Sequence, residues 1–163
     1  MRALSLYSGI GGMDLAAEWA GFEIIAHCEA DEWTRSVLES RFSGVASYES
    51  DTDLTADELD RLGPIDIVIG GPPCQPHSHA GLQMGAGDPR NRFPEALRIV
   101  RDCAPRWVVW ENVAGARPYA ESSVLPSLRD LGYNVGILEF PVCLVGAPHR
   151  RQRIFIVAHA ISE

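Results

Sequence analysis

The sequence predicts one doubly wound α/β domain with a mostly parallel sheet, and three observations carry that prediction. Residues 2–7, 8–12 and 13–20 read as a strand, a glycine-rich turn and a helix, the opening half of a nucleotide-binding βαβ unit. Ile65, Ile67, Val68 and Ile69 form an apolar, β-branched run too short for a helix, which reads as a buried parallel strand. Strand and helix patterns follow one another along the 163 residues without a repeat or a low-complexity linker, so the chain fits a single domain able to bury a core.

Taken in order, the turn Ser8-Gly9-Ile10-Gly11-Gly12 follows the first strand and lets the backbone approach a ligand closely. The second strand, 23–28, runs into Glu29-Ala30-Asp31. An acidic residue about twenty positions after the glycines lies at the end of the neighbouring strand, where it accepts both hydroxyls of a ribose, and Glu29 takes that place. Asp31 is expected to cap the next helix, 33–42, with Glu32 in its first turn. Trp33, Val37, Leu38 and Phe42 compose that helix's core stripe. A short third strand, 45–48, leads to Asp51, which either meets an adenine amino group or serves only as a cap before the helix 54–62. Gly63-Pro64 ends that helix.

Gly70 and Gly71 close the central strand, and Pro72 and Pro73 then fix two φ angles and withdraw two N–H donors. The chain must leave as a stiff, extended loop, with Cys74 at its tip. Ligands of open α/β sheets gather outside the carboxyl ends of the strands. A thiol there has a rigid mount and an approach path, neither of which a core-filling cysteine requires. Residues 78–92 are rich in glycine and polar side chains and read as a binding loop. A helix over 93–103 and a strand over 106–110 follow, with Glu111-Asn112-Val113 at the strand's carboxyl end. A carboxylate leaving a strand into a crevice is poorly solvated, so the Glu111 pKa is expected to rise toward the range useful for acid chemistry. A helix over 118–131 and strands over 134–140 and 154–159 complete the chain, the last two joined by a loop that carries His149, Arg150 and Arg151 and runs to Arg153.

A net charge of −8 argues against binding nucleic acid through the whole surface, because phosphate contacts supply much of that affinity. Positive charge is local: the late arginine cluster, and a looser one at Arg90, Arg92, Arg98 and Arg101. The apolar run in residues 2–12 is broken by glycines and too short for a signal peptide or a membrane span. Cys28, Cys74, Cys103 and Cys143 form no C-x-x-C pair, so neither a metal site nor a disulfide framework is expected, and a reducing cytoplasm fits best.

The string GGPPCQPHS, residues 70–78, closely resembles the nucleophile loop of the DNA cytosine-5 methyltransferases. YSGIGG at 7–12 looks like that family's cofactor loop, ENV at 111–113 its acid, and APHRRQRIFIVA at 147–158 its late arginine segment. Order and spacing match as well, so the resemblance covers nearly the whole chain. It implies a Rossmann-like, S-adenosylmethionine-dependent methyltransferase fold, with Tyr7, Gly9, Gly11, Gly12, Glu29, Asp51 and Pro72 around the cofactor and cytosine in DNA as substrate. It also implies Cys74 as the nucleophile at carbon 6, Glu111 as the acid at ring nitrogen 3, Arg153 on the carbonyl oxygen and Arg151 supporting the loop. His77 departs from the pattern, since phenylalanine is usual there.

Family members ordinarily continue into a target-recognition domain and a terminal segment, whereas this sequence stops at Glu163. The expectation is a minimal or split enzyme that holds DNA weakly alone and works as a homodimer or with a separate specificity subunit. Two alternatives stand beside it: a catalytically weak cofactor-binding fragment or subunit, and methylation of RNA or a free nucleotide.

Overall fold

The computed structural model describes residues 1–73 and 91–161. Its strands are β1 (Arg2–Leu6), β2 (Glu23–Cys28), β3 (Ala46–Tyr48), β4 (Ile67–Gly70), β5 (Trp107–Val113), β6 (Tyr133–Pro141) and β7 (Gln152–Ala160). They form one sheet in the order β3-β2-β1-β4-β5-β7-β6. The first five in chain order pair in parallel, and β7 runs antiparallel to both of its neighbours. The order reverses between β1 and β4, which opens a crevice at their carboxyl ends. The doubly wound, mostly parallel architecture expected from the sequence is therefore present.

Side-chain alternation sorts the two faces of the sheet. Leu4, Leu6, Val68, Val108, Trp110 and Ile156 point into the larger core. That core is covered by α3 (Ala56–Leu62), α4 (Phe93–Cys103) and α6 (Leu125–Asp130). Ala3, Ile24, Ile67 and Ile69 point to the other face, where they meet Ala17 of α1 (Gly12–Trp19). On that side a ring N–H of His27 in β2 donates to Asp14 of α1 at 2.9 Å, both side chains being fully buried.

Two glycines are required by contact. A Cβ on Gly70 would lie 2.1 Å from the Leu6 carbonyl oxygen, so β1 and β4 approach this closely only because that Cβ is absent. Gly11 has φ +85°, and a Cβ there would lie 2.6 Å from the ring of Phe42.

The helix α2 (Glu32–Arg41) begins as expected, with Asp31 accepting from the Thr34 N–H at 2.8 Å. Its stripe differs from the prediction: Leu38 and the following Phe42 are buried, but Trp33 is 70% exposed. The helix leans on the sheet with its carboxyl-terminal half alone, and its first turn projects past the edge strand's cover.

The strand carrying Glu111 runs three residues beyond the predicted 106–110. Antiparallel pairing with β7 extends it, with Glu111 opposite Phe155 and Val113 opposite Arg153. The predicted helix 118–131 is broken into α5 (Arg117–Tyr119), a wider π turn at Ala120–Val124, and α6. Pro126 withdraws the N–H that a regular helix would donate to the Ser122 carbonyl, which accounts for the widened turn. No helix among the described residues is long and apolar enough to cross a membrane.

Candidate active site

The carboxyl ends of β1, β2, β3 and β4 surround a cavity of about 390 Å³. Tyr7, Asp51, Pro73 and Arg92 line it, with Cys28, Ser50 and Thr52. That volume suits a nucleoside-sized ligand, and the polar groups converge on one wall.

Tyr7 leaves β1 with φ 53°, a left-handed conformation that a non-glycine residue keeps only where its surroundings enforce it. Its hydroxyl donates to Asp51 Oδ2 at 2.6 Å. Burial and the neighbouring carboxylate hold that hydroxyl far above the usual phenol range, so it acts as a fixed donor. Asp51 also accepts from Arg92, whose Nε lies 2.8 Å from Oδ2 and whose Nη2 pairs with Oδ1. Both oxygens of this buried carboxylate are thus engaged. Cys28 is buried at the cavity's base, and burial with the surrounding carboxylates pushes its thiol up to about 12. It stays neutral.

Glu29 follows β2, and its carboxylate accepts the N–H of Gly9 at 2.9 Å and of Asp31 at 3.0 Å. The glycine turn and the predicted acidic residue are thereby brought together. Gly12 begins α1 beside them, while Gly11 serves the packing against Phe42.

At the end of β4 the two prolines have only carbonyls to pair, and both are held. Asn112 Nδ2 donates to the Pro72 carbonyl at 2.8 Å, and the Arg92 N–H donates to that of Pro73 at 3.2 Å. Pro72 itself is buried. Cys74, the next residue, lies outside the described residues, as do His77 and most of the predicted binding loop.

Glu111 faces the same stretch: a Cβ on Gly71 would lie 3.5 Å from Glu111 Oε2. Burial lifts its carboxyl above the ordinary glutamate range, with the charge of Arg151 pulling the other way. The rise expected for a strand-end acid is found. Arg153, largely buried, pairs through Nε with Glu111 Oε1, whereas Arg151 is exposed and contributes its carbonyl to the Val142 N–H at 3.0 Å.

The sequence reading left two residues without an individual role. Asn112 was visible only inside its triplet, and Arg92 only as one member of a loose charge cluster. Their partners lie 40 and 41 positions away, so no local pattern marks them.

The family model for C-5 cytosine-specific DNA methylase matches residues 1–163. The chain belongs to that family. It is 36% identical over 162 residues to Type II methyltransferase M.FnuDI of Fusobacterium nucleatum, covering 96% of this chain and 46% of that protein. To Type II methyltransferase M.AquIA of a Picosynechococcus species it is 33% identical, covering 99% of this chain and 73% of the other. Among solved structures, the Schizosaccharomyces pombe Dnmt2 methyltransferase superposes with a TM-score of 0.82 at 25% identity, over 100% of this chain and 52% of that one. A Spodoptera frugiperda DNMT2 mutant gives 0.81 at 26%, over 98% and 50%. The chain thus spans about half the length of several family members, and the shared half contains every described site residue.

Proposed function

We propose that this chain carries the cofactor-binding and catalytic parts of an S-adenosylmethionine-dependent enzyme that methylates carbon 5 of cytosine in DNA. One observation carries the reading most: the stretch Gly71–Pro73 touches the cavity on one side, through Pro73, and Glu111 on the other, through Gly71. A nucleophile mounted on that stretch stands between a nucleoside-sized pocket and a buried acid.

The residues around the cavity fit the cofactor. Glu29 has acceptor capacity left for ribose hydroxyls, and the wall of Tyr7, Asp51 and Arg92 suits the polar edge of a purine. When bound, the cofactor supplies an electrophilic methyl group. The chain's own groups do the rest. The Cys74 thiolate adds to carbon 6 of cytosine, and the electron pair of the 5,6 double bond becomes available at carbon 5. Glu111, its proton affinity raised by burial, donates to ring nitrogen 3 and offsets the charge that develops there. Arg153 orients Glu111 and holds the carbonyl oxygen, with Arg151 supporting the loop. After methyl transfer, loss of the carbon 5 proton and elimination release the thiolate. In a duplex the base is first flipped from the stack.

DNA carrying 5-fluorocytosine is expected to trap a covalent complex in the presence of S-adenosylmethionine, because fluorine cannot leave as a proton does. Trapping that persists in Cys74→Ala would refute the assigned nucleophile. A parallel arm with RNA decides between nucleic-acid substrates. The proposal includes a second chain, identical or different, that assists target selection; light scattering across protein concentration, read with labelled-methyl transfer, tests it.

A further inference from the structure

Arg92 stands where three parts of the site meet. Its guanidinium grips Asp51 on the cavity wall, and its carbonyl lies 3.2 Å from the Tyr7 hydroxyl. Its own N–H donates to the Pro73 carbonyl at 3.2 Å, one residue before Cys74 in the sequence. From the next turns of α4, Arg98 Nη2 donates to the carbonyls of Asp51 and Leu54, each at 3.0 Å. The helix therefore holds the segment after β3 by main chain as well as by side chain.

Asp51 is only 4% exposed and both of its oxygens are engaged. A ligand group that draws on this carboxylate from the cavity has to share it with Arg92, and the guanidinium shifts in response. The main-chain bond from Arg92 to Pro73 is long, since such bonds cluster near about 2.9–3.0 Å, so it has room to tighten or to break. A ligand with differential contacts at one end of such a chain biases the other end.

We infer that Arg92 is a positioning residue that couples occupancy of the cavity to the placement of the Pro73 carbonyl, and through it to the reactivity of Cys74. The inference rests on the cofactor reading above, and its test separates the two.

The native chain and its Arg92→Leu, Arg92→Lys and Asp51→Asn variants are titrated with S-adenosylhomocysteine by calorimetry. The rate of Cys74 alkylation by iodoacetamide is followed by mass spectrometry with and without saturating ligand, the exposed Cys143 serving as internal reference. In the native chain, saturation is expected to change the Cys74 rate about five-fold or more while Cys143 is unchanged. In saturated Arg92→Leu the ratio is expected to fall below about two-fold, with Arg92→Lys between, because lysine keeps the charge and loses the bidentate fork. Asp51→Asn is expected to lower the ratio as Arg92→Leu does. A saturated variant that keeps the native ratio has lost pocket affinity alone, and overturns the inference. So does a native chain that binds ligand with no change at Cys74. No heat in the native chain overturns the cofactor reading and this inference with it. If circular dichroism shows Arg92→Leu unfolded, Arg92→Lys and Asp51→Asn decide by the same ratio.

Discussion

Glu29 and Glu111 both stand at the carboxyl edge of one sheet, yet their partners make different groups of them. Glu29 is held by two neutral donors, the N–H groups of Gly9 and Asp31. Its oxygens keep lone pairs for further hydroxyls. Glu111 is more enclosed, its carboxyl lifted by burial and countered by the charges of Arg151 and Arg153. It is poised between protonation states. The difference originates in the sheet: Glu29 follows a strand with parallel neighbours, whereas Arg153 reaches Glu111 only because β7 returns antiparallel beside β5. Strand-end position supplies a carboxyl, and the neighbouring strand decides its chemistry.

The most severe way to break the comparison is to separate the two halves of the sheet. Gly70→Ala sets a Cβ 2.1 Å from the Leu6 carbonyl where β1 meets β4. It is expected to destabilise the fold by more than about 4 kcal/mol. Urea unfolding measures it, and a loss under about 1 kcal/mol would show that this crowding is relieved cheaply.

Glu111→Gln is expected to lower methyl transfer by about 10²–10⁴-fold with cofactor affinity nearly unchanged. It also carries a pH signature. The folded pKa of Glu111 is raised, so the native chain binds a proton more tightly folded than unfolded, and the associated stability is present at low pH. That contribution is lost as pH climbs from the ordinary glutamate value of about 4.3 through the raised one. The stability of Glu111→Gln relative to the native chain should therefore improve across that interval in denaturant titrations. A constant difference would mean that Glu111 keeps its unfolded proton affinity.

Glu29→Ala sharpens the contrast with the opposite signature. Cofactor affinity is expected to fall about tenfold, or about 1.4 kcal/mol, with the rate at saturation little affected. Calorimetry beside single-turnover assays separates the two glutamates, and an equal loss of rate in both variants would merge their roles.

The smallest effect belongs to an ion pair with no site to serve. Arg117 meets Glu121 at 2.8 Å and Glu139 at 2.7 Å on the surface. Arg117→Ala should change stability by less than about 1 kcal/mol and leave methyl transfer as it was. Arg153→Ala, which leaves Glu111 without its ion-pair partner, is the matched counterpart and should reduce methyl transfer strongly.

Much of the fold and part of the site were legible in the sequence because they rest on short-range physics. The apolar run before Gly70 can only be a strand of that length, the Asp31 cap is formed with its own helix, and Glu29 follows a glycine turn at a spacing that the βα crossover imposes. The stiffness of Pro72-Pro73 is covalent. Tertiary structure decided the remainder. Trp33 lies on the predicted stripe but past the sheet's cover, and Asp51, read as free to meet an adenine or to cap a helix, has both oxygens taken by Tyr7 and Arg92. The clamps on the two proline carbonyls come from Asn112 and Arg92, and the Glu111 to Arg153 pair from the register of an antiparallel strand. Periodicity, caps and turns report on neighbours within a few residues, whereas these contacts join positions about 40 apart, which only the closing of one sheet on itself brings within a hydrogen bond.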